Sequence, residues 1–409
     1  MDSLERDVKG GTAAPDGFRA GGISCGIRKG VSKPDLAMIA CGVPCDAAAV
    51  YTRNLVKGAP LGVTRENLSD GRAQAVLCNS GNANACCQDG PEKARRMGRA
   101  AARALKISPR DVIVASTGVI GVPLPIEPIE KAVPDLAASL SKDGSLLAAH
   151  AIMTTDTAVK NLAVEFPLGG KTVRIGGIAK GSGMIHPNMG TMLCFLTTDA
   201  AISSPALNAA LRRAVDESFN MVSVDGDTST NDMCVILADG LAGNPRIEKP
   251  SGEEFEIFSS ALKRLCVRFA RKIAKDGEGA TRLLVCAVTG AGDRESARLA
   301  ARAVVRSNLV KAAIGGSDAN WGRVLCALGY SGARTDPSKA DVSFSSKAGS
   351  VAVFKNGAGI PFREDLAKKI LSEEEVTVRI ALRDGDARAE AYGCDLTCGY
   401  VRINGSYRS

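Results

Sequence analysis

The sequence predicts a mixed α/β (α+β) protein of two domains, and three observations lead to that prediction. Apolar runs with the length of strands alternate with amphipathic segments with the length of helices through most of the chain. The 409 residues are enough for two domains of ordinary size. Hydrophobic residues make up 45% of the sequence, which is enough to bury a substantial core.

Short apolar runs bounded by turn residues predict the strands, and apolar residues at helical spacing predict the helices. The predicted strands cover residues 73–78, 111–115, 172–178, 192–197, 232–237, 283–288, 376–382, 386–392 and 399–403. The predicted helices cover residues 91–107, 204–220, 251–275 and 293–307. The turn Arg383, Asp384, Gly385 predicts a hairpin between the strands at 376–382 and 386–392. The irregular segment 180–190 is the best candidate for a domain boundary.

Composition and charge argue against several classes of protein. The chain has no run of about 18 apolar residues, so no membrane span is expected. Its N-terminal segment is charged and has no apolar h-region, which predicts no secretory signal and a cytoplasmic location. The net charge of +8 is not gathered in a basic stripe, and only 4% of the residues are aromatic. These features argue against nucleic acid as a partner and favour anionic small molecules.

Cysteine and histidine usage limits the chemistry further. The 13 cysteines have no CxxC spacing and the chain has only two histidines, so we expect reduced, buried thiols and no metal site. A Ser-His-Asp or Cys-His mechanism would have to use His150 or His186. His150 lies in the helix-like segment SLLAAH, whereas His186 lies in a loop with Gly, Met and Pro and is the better candidate.

The loop that precedes residue 191 is the most unusual segment of the chain. It reads AKGSGMIHPNM and ends at Gly190 and Thr191, where an apolar strand begins. One interpretation is an ordinary connection in which Thr191 only starts the strand. The other is an N-terminal nucleophile, because cleavage before Thr191 would free an α-amine with a pKa of about 7.7–8.0 beside the attacking hydroxyl. Such chemistry needs an oxyanion hole, and a hydroxyl and a backbone N–H can converge at Thr117 and Gly118.

A series of motifs, taken in order, resembles one family along nearly the whole chain. They are GFRAGGISCGIRK, CNSGNANAC, ASTGVIG, AIMTTDT, AKGSGMIHPNMGTML, SVDGDTSTND, DGEGATR, ANWGR and GCDLTCGYVRINGSYRS. In these motifs the chain is similar to the ornithine acetyltransferase/glutamate N-acetyltransferase family of arginine biosynthesis, which includes bifunctional acetyltransferases. So many motifs in one order are specific, although each of them alone is not.

The resemblance implies roles for individual residues. Thr191 matches the nucleophile of the family, which becomes the N-terminus of a β chain by self-cleavage after Gly190. Thr117 and Gly118 match its oxyanion hole. Substrate contacts are implied for Thr154, Lys180, Thr191, Glu278, Asn404 and Ser409. The chemistry agrees, because a lysine suits a substrate carboxylate and a glutamate suits an amine.

The resemblance also implies a fold, a reaction and an assembly. The expected protein is a self-cleaving acyltransferase of the N-terminal-nucleophile type, with an α chain of residues 1–190 and a β chain of residues 191–409. The acetyl group would pass from N2-acetylornithine to glutamate through an acetyl-threonine intermediate, with acetyl-CoA as a second donor in bifunctional members. No cofactor or metal is expected, and two α and two β chains would form a heterotetramer.

Two alternative functions are consistent with part of this interpretation. One is a self-processing N-terminal-threonine hydrolase or aminopeptidase, in which water replaces glutamate as the acceptor. The other is a binding or regulatory protein that has the fold without the activity, for which an uncleaved chain is expected.

Overall fold

The computed structural model describes residues 5–28, 30, 33–186 and 192–405. Within these residues the strands form one sheet of nine strands, here the first sheet, and one of seven strands, the second sheet. The prediction of a mixed α/β fold is confirmed. None of the helices in the described ranges is long and apolar enough to cross a bilayer.

The strands, numbered in chain order, are β1 (Arg6–Asp7), β2 (Phe18–Ile23), β3 (Leu36–Tyr51), β4 (Arg72–Asn82), β5 (Val112–Val119), β6 (Lys160–Leu168), β7 (Lys171–Lys180), β8 (Leu193–Thr198), β9 (Val222–Ser223), β10 (Met233–Ala238), β11 (Leu283–Ala291), β12 (Asp341–Ser346), β13 (Gly349–Lys355), β14 (Ala358–Gly359), β15 (Glu375–Ala381) and β16 (Ala387–Cys394). The helices are α1 (Ala59–Asn67), α2 (Gly90–Leu105), α3 (Ile126–Ala138), α4 (Ser145–Ile152), α5 (Ser204–Asp216), α6 (Glu253–Lys275), α7 (Arg294–Arg306), α8 (Asn308–Gly315), α9 (Trp321–Gly329), α10 (Glu364–Leu371) and α11 (Cys398–Asn404).

Both sheets are mixed. The first sheet has the order β1-β6-β7-β8-β10-β3-β4-β5, and β2 pairs with β3 beside this path. Its strands are antiparallel except for the parallel pairs β8–β10 and β4–β5. The second sheet has the order β14-β13-β12-β15-β11-β16-β9, with β11–β15 and β9–β16 parallel.

The centre of the first sheet is buried on both faces. In β8, Cys194 and Leu196 face the core that extends to the second sheet, whereas Leu193 and Phe195 face a separate core cluster on the other side. The neighbouring strand β10 is also buried at every position. Burial of both faces explains why these strands read as continuous apolar runs rather than as alternating patterns.

The long helix α6 connects the two sheets. Its buried residues include Phe255, Phe258, Leu262, Leu265 and Phe269, at alternating spacings of three and four that form one apolar stripe. The helix contacts β6 and β7 of the first sheet as well as β11 and β16 of the second. Glutamates in its first turn and lysines in its last turn complement the helix dipole. The helix ends at Lys275, just before a loop that reaches the functional site.

Two sequence predictions are wrong, and both concern the C-terminal part. The predicted strand 399–403 is part of helix α11, whose first turn is capped by the Thr397 hydroxyl accepting from Gly399 N–H. The β-branched residues Val401 and Ile403 favoured a strand, but they are exposed and no strand of the described residues pairs with them. The other predicted strands and helices are confirmed to within a few residues.

The predicted hairpin between 376–382 and 386–392 is the second wrong prediction. β15 and β16 do not pair with each other, because β11 lies between them, parallel to β15 and antiparallel to β16. The connecting turn crosses the end of β11, where Gly290 O accepts from the N–H groups of Asp384 and Gly385 at 2.7 and 3.0 Å. A turn sequence predicts that the chain reverses direction, but it does not predict that the two strands on either side of the turn pair with each other.

The predicted domain boundary lies in the segment 180–190, and the division by cleavage into chains of residues 1–190 and 191–409 stays a prediction. The two sheets do not divide there, because β8 and β10 follow this position and pair within the first sheet.

Backbone packing against β7 leads to a stability prediction. A Cβ built on Gly176 would lie 1.8 Å from Gly11 O, because the turn at Gly11–Ala13 packs directly on this strand. We expect Gly176→Ala to lower the free energy of unfolding by about 1–3 kcal/mol, the usual cost of overpacking. The matched control is Gly62→Ala in the exposed part of α1, where nothing lies within 4 Å of the added methyl group and alanine favours the helix. Denaturant unfolding of both variants measures the difference, and equal effects would contradict it.

Candidate active site

A cavity of about 520 Å³ opens where several strand ends of the first sheet meet helix α11. Its lining contains all the sequence-predicted site residues that fall in the described part of the chain, namely Thr117, Gly118, Thr154, Lys180, Glu278 and Asn404. Gly190, Thr191 and Ser409 lie outside the described residues. Met192, which follows Thr191 directly, lines the same cavity.

Strand pairing brings Met192 and Leu193, which follow the predicted nucleophile in the sequence, next to Lys180. Lys180 is the last residue of β7 and is paired with Leu193, the first residue of β8. On the other side of β8, Leu193 is paired with Met233 of β10, and Met233 N–H donates to Met192 O at 3.0 Å. The end of β7 and the starts of β8 and β10 therefore meet at one edge of the sheet, at the cavity.

Thr117 and Gly118 lie near the end of β5, which runs parallel to β4. Gly118 has a φ of +131°, and a Cβ there would lie 2.4 Å from the carbonyl carbon of Gly81. Only glycine fits this conformation and this close approach of two strands. Asn231 braces the same region, because its Nδ2 donates to Ser116 O at 2.8 Å and to Ala83 O at 2.6 Å. The cavity wall here is thus a rigid backbone beside a threonine hydroxyl.

Lys180 brings a buried positive charge to the cavity. Its Nζ donates to Thr154 Oγ1 at 2.7 Å and lies 3.9 Å from Asp156 Oδ2. Burial lowers the pKa of Lys180, whereas the nearby carboxylate of Asp156 acts in the opposite direction. A largely desolvated ammonium of this kind is suited to an anionic ligand, since a carboxylate would compensate the cost of burial.

Asp156 organises the residues around Lys180. Its carboxylate accepts from Thr154 N–H at 3.1 Å, from Gly181 N–H at 2.6 Å and from the ammonium of Lys160 at 2.8 Å. Burial alone would raise the pKa of Asp156, but Lys180, Lys160 and the Gly181 N–H outweigh burial and lower it to about 2. Asp156 is therefore ionised at any pH at which the protein would be assayed.

Glu278 and Asn404 provide a second polar group in the cavity. Glu278 lies just after α6, where its N–H donates to Ser182 O at 2.9 Å. Its carboxylate accepts from Asn404 Nδ2 at 2.7 Å, which connects helix α11 to the cavity. A Cβ on Gly183 would lie 2.3 Å from the Glu278 carboxyl carbon, so the glycine leaves room for this side chain. The cavity thus holds a cation at Lys180 and a carboxylate at Glu278, which together match a zwitterionic ligand.

Sequence reasoning missed several residues of the site. Lys160 and Asp276 form a buried ion pair with Asp156 behind the cavity. Asp225 accepts from Met184 N–H at 2.6 Å and from the Tyr400 hydroxyl at 3.3 Å. Asp156, Asp225 and Asp276 all lie in segments used for the family resemblance, AIMTTDT, SVDGDTSTND and DGEGATR, so the signal was present although no role was assigned.

Asp232 is a further residue without a predicted role. It lines the cavity, its side chain is buried, and Oδ2 has no hydrogen-bond partner among the described residues. Burial raises the pKa of Asp232 well above its usual range, against the lowering effects of the Thr52 hydroxyl and the Met192 N–H. Burial thus disfavours the ionised form of this carboxyl group.

The two histidines lie outside the lining of the cavity. His186 Nδ1 is 3.2 Å from Ser223 Oγ, and its carbonyl accepts from the Thr228 hydroxyl at 2.7 Å. Burial, with help from Arg302 and Arg306, lowers the pKa of His186 to about 4. His150 is exposed at the end of α4.

The chain is similar to known proteins along nearly its whole length. The ArgJ family model matches residues 19–409. The arginine biosynthesis bifunctional protein ArgJ of Symbiobacterium thermophilum is 53% identical over 404 residues, covering 98% of this chain and 99% of the relative. ArgJ 1 of Clostridium acetobutylicum is 50% identical over 393 residues, covering 96% of each chain.

A solved structure is also similar. The crystal structure of the arginine biosynthesis bifunctional protein ArgJ from Bacillus halodurans has a TM-score of 0.50 and 43% identity, and it covers 53% of this chain and 100% of the solved chain. A family match over nearly the whole sequence, together with relatives of this identity and coverage, shows that this chain belongs to the ArgJ family.

Proposed function

We propose that this chain is an acetyltransferase of arginine biosynthesis that moves the acetyl group of N2-acetylornithine to glutamate, giving ornithine and N-acetylglutamate. The observation that carries the proposal is that Lys180, Glu278 and the Thr117–Gly118 backbone line one cavity together with Met192, the residue after Thr191. The name of the curated relatives, arginine biosynthesis bifunctional protein, supports the same pathway.

In the first half of the reaction, the Thr191 hydroxyl attacks the acetyl carbonyl of N2-acetylornithine and its proton passes to the α-amine of Thr191. The tetrahedral oxyanion accepts hydrogen bonds from the Thr117 hydroxyl and the Gly118 N–H. The proton then passes to the leaving nitrogen and ornithine departs, leaving acetyl-Thr191. In the second half, the amine of glutamate attacks this ester by the same route in reverse.

Substrate orientation follows from the charges in the cavity. N2-acetylornithine and glutamate both carry an α-carboxylate. The buried Lys180 ammonium and the Thr154 hydroxyl, which are 2.7 Å apart, can donate hydrogen bonds to this carboxylate. The Glu278 carboxylate suits the side-chain ammonium of ornithine. Asn404 Nδ2 holds Glu278 at 2.7 Å and keeps this carboxylate directed at the cavity.

Self-cleavage between Gly190 and Thr191 is part of the proposal. It would give fragments of 190 and 219 residues, an α chain and a β chain. The solved chain from Bacillus halodurans supports cleavage. Its full length matches only 53% of the present chain, and the longer fragment would make up a similar share of the 409 residues. The neighbouring Met192 is held in the first sheet by its bond to Met233, which would fix the new N-terminus at the cavity.

The second acetyl donor, the assembly and the cellular location are proposed from the sequence resemblance to the family. Acetyl-CoA would serve as a second acetyl donor, without any other cofactor, and two α and two β chains would assemble in the cytoplasm. Acetylation of glutamate by acetyl-CoA in the absence of acetylornithine tests the second donor. Release of ornithine that does not depend on glutamate would favour the hydrolase alternative instead.

The first prediction concerns cleavage. Purified protein should contain two fragments, and the longer one should begin with Thr191. We expect Thr191→Ala to remain one chain and to be inactive, because it lacks the attacking hydroxyl. Thr191→Ser is the matched control, which keeps a hydroxyl and should still cleave. Gel electrophoresis with N-terminal sequencing measures this, and full activity of an uncleaved wild-type chain would contradict the proposal.

The second prediction concerns the oxyanion hole. Loss of one donor to an oxyanion costs about 10²–10³-fold in kcat. We therefore expect Thr117→Ala to lower kcat by this factor while KM changes little, and Thr117→Ser to retain most of the activity. Steady-state kinetics with both substrates tests this assignment. A rise in KM at unchanged kcat would show that Thr117 binds the substrate instead.

The third prediction concerns the base. The rate should increase with pH through the pKa of an α-amine, about 7.7–8.0, because only the neutral amine accepts the hydroxyl proton. His186, whose pKa is lowered to about 4, is already neutral throughout this range. We thus expect the rising limb of the kcat profile to be unchanged in His186→Ala. A shift of the limb by more than about one pH unit would identify His186 as the base.

A further inference from the structure

A fully buried ammonium lies directly behind the cavity. Lys160 is only 1% exposed, and its Nζ donates to Asp156 Oδ1 at 2.8 Å, to Asp276 Oδ2 at 2.6 Å and to Ala158 O at 3.2 Å. These contacts use all three protons of the ammonium group. The Lys160 side chain therefore joins two buried carboxylates that come from distant parts of the chain.

Each of the two carboxylates organises a segment that carries a site residue. Asp156 accepts from Thr154 N–H at 3.1 Å and from Gly181 N–H at 2.6 Å; Thr154 binds the Lys180 ammonium, and Gly181 follows Lys180 in the chain. Asp276 accepts from the N–H groups of Thr157 and Ala158, each at 3.2 Å, and lies two residues before Glu278. Lys160 thereby links the segments that hold Thr154, Lys180 and Glu278.

The distances also show which lysine is hydrogen-bonded to Asp156. Lys160 bonds to Asp156 at 2.8 Å, which is the length of a charge-assisted hydrogen bond, whereas Lys180 lies 3.9 Å from it and bonds to Thr154 instead. The other carboxyl group whose charge acts on Lys180 is Asp232, and burial raises the pKa of Asp232 well above its usual range. Among the described residues, the Lys180 ammonium is thus left without a tight carboxylate partner of its own.

We propose that Lys160 is a positioning residue that occupies Asp156 and so keeps the Lys180 ammonium available for the α-carboxylate of the substrates. This inference rests on the proposed function, in which Lys180 binds that carboxylate. Without the ammonium of Lys160, Asp156 would lose its closest cation, and a movement of about 1 Å would close a tight ion pair between Asp156 and Lys180. A substrate carboxylate would then have to displace Asp156 before it could bind.

The test compares two charge-balanced double variants that both lack Lys160. K160M/D276N leaves Asp156 free to capture Lys180, whereas K160M/D156N removes that competitor. Each variant loses one buried positive and one buried negative charge, so they disturb the cluster to a similar degree. The measured quantity is the ratio of kcat/KM for N2-acetylornithine to kcat/KM for N-acetyl-1,4-diaminobutane, which is the same molecule without its carboxylate.

The wild-type enzyme should prefer acetylornithine by about ten- to hundredfold, the usual value of a charge-assisted contact. We expect this preference to fall by about tenfold or more in K160M/D276N and to remain in K160M/D156N. An equal loss for both substrates in K160M/D276N, with an unchanged ratio, would reduce Lys160 to a structural role and overturn the inference.

A further variant separates this inference from the proposed function. Lys180→Met should abolish the preference; if it does not, Lys180 does not bind the carboxylate and the assignment in the proposed function fails. If Lys180→Met abolishes the preference and K160M/D276N retains it, only the inference on Lys160 fails. Should K160M/D276N not fold, Asp276→Asn alone gives the reverse test, because Lys160 then pairs with Asp156 only and the preference should not decrease. A tenfold decrease in Asp276→Asn would contradict the inference.

Discussion

The position of strand β8 between β7 and β10 is the constraint on which the site depends. Leu193 is paired with Lys180 on one side and with Met233 on the other, so three chain segments reach the cavity at the same edge. Both faces of β8 are buried in separate core clusters. A slip by one residue would exchange these faces, so the packing of two cores fixes the register and thereby the chain that follows residue 191.

Charge balance is the second requirement of the site. Lys160, Lys180, Asp156 and Asp276 are all largely or fully buried, and unpaired charges at such positions would be very unfavourable. Their arrangement gives Lys160 three close acceptors but leaves Lys180 with a hydroxyl at 2.7 Å and a carboxylate only at 3.9 Å. The protein therefore keeps a positive charge in a cavity whose charges match a zwitterionic ligand, while these four buried charges sum to zero.

The sequence predicted much of this site but not its supporting charges. Thr117, Gly118, Lys180 and Glu278 lie in short, specific motifs, and they line one cavity as expected. Lys160 could not be found in this way, because a lone lysine in a strand usually lies in solvent. Its burial depends on Asp276, 116 residues further along the chain, and no local pattern reports a contact over that separation.

The sequence predicted most individual helices and strands well, because local patterns determine them. It predicted strand pairing in the C-terminal part poorly, because local patterns do not determine the order of strands in a sheet. The apolar stripe of α6 is visible in the sequence, as are the buried runs of β8 and β10. β11 lies between β15 and β16, and the turn residues that connect β15 to β16 do not determine which strands pair. In α11 the β-branched residues favoured a strand. A strand needs a neighbouring strand to pair with, and none lies beside the described residues of this segment.

Transfer of the acetyl group through Thr191 is tested most directly by trapping the intermediate. Purified enzyme is mixed with N2-acetylornithine in the absence of glutamate, quenched in acid and analysed by mass spectrometry of the intact fragments and their peptides. We expect a longer fragment that is heavier by one acetyl group, with the acetyl ester on Thr191, and the loss of this group when glutamate is added before quenching. An active enzyme that carries no acetyl group under these conditions, or carries it on another residue, would contradict the account.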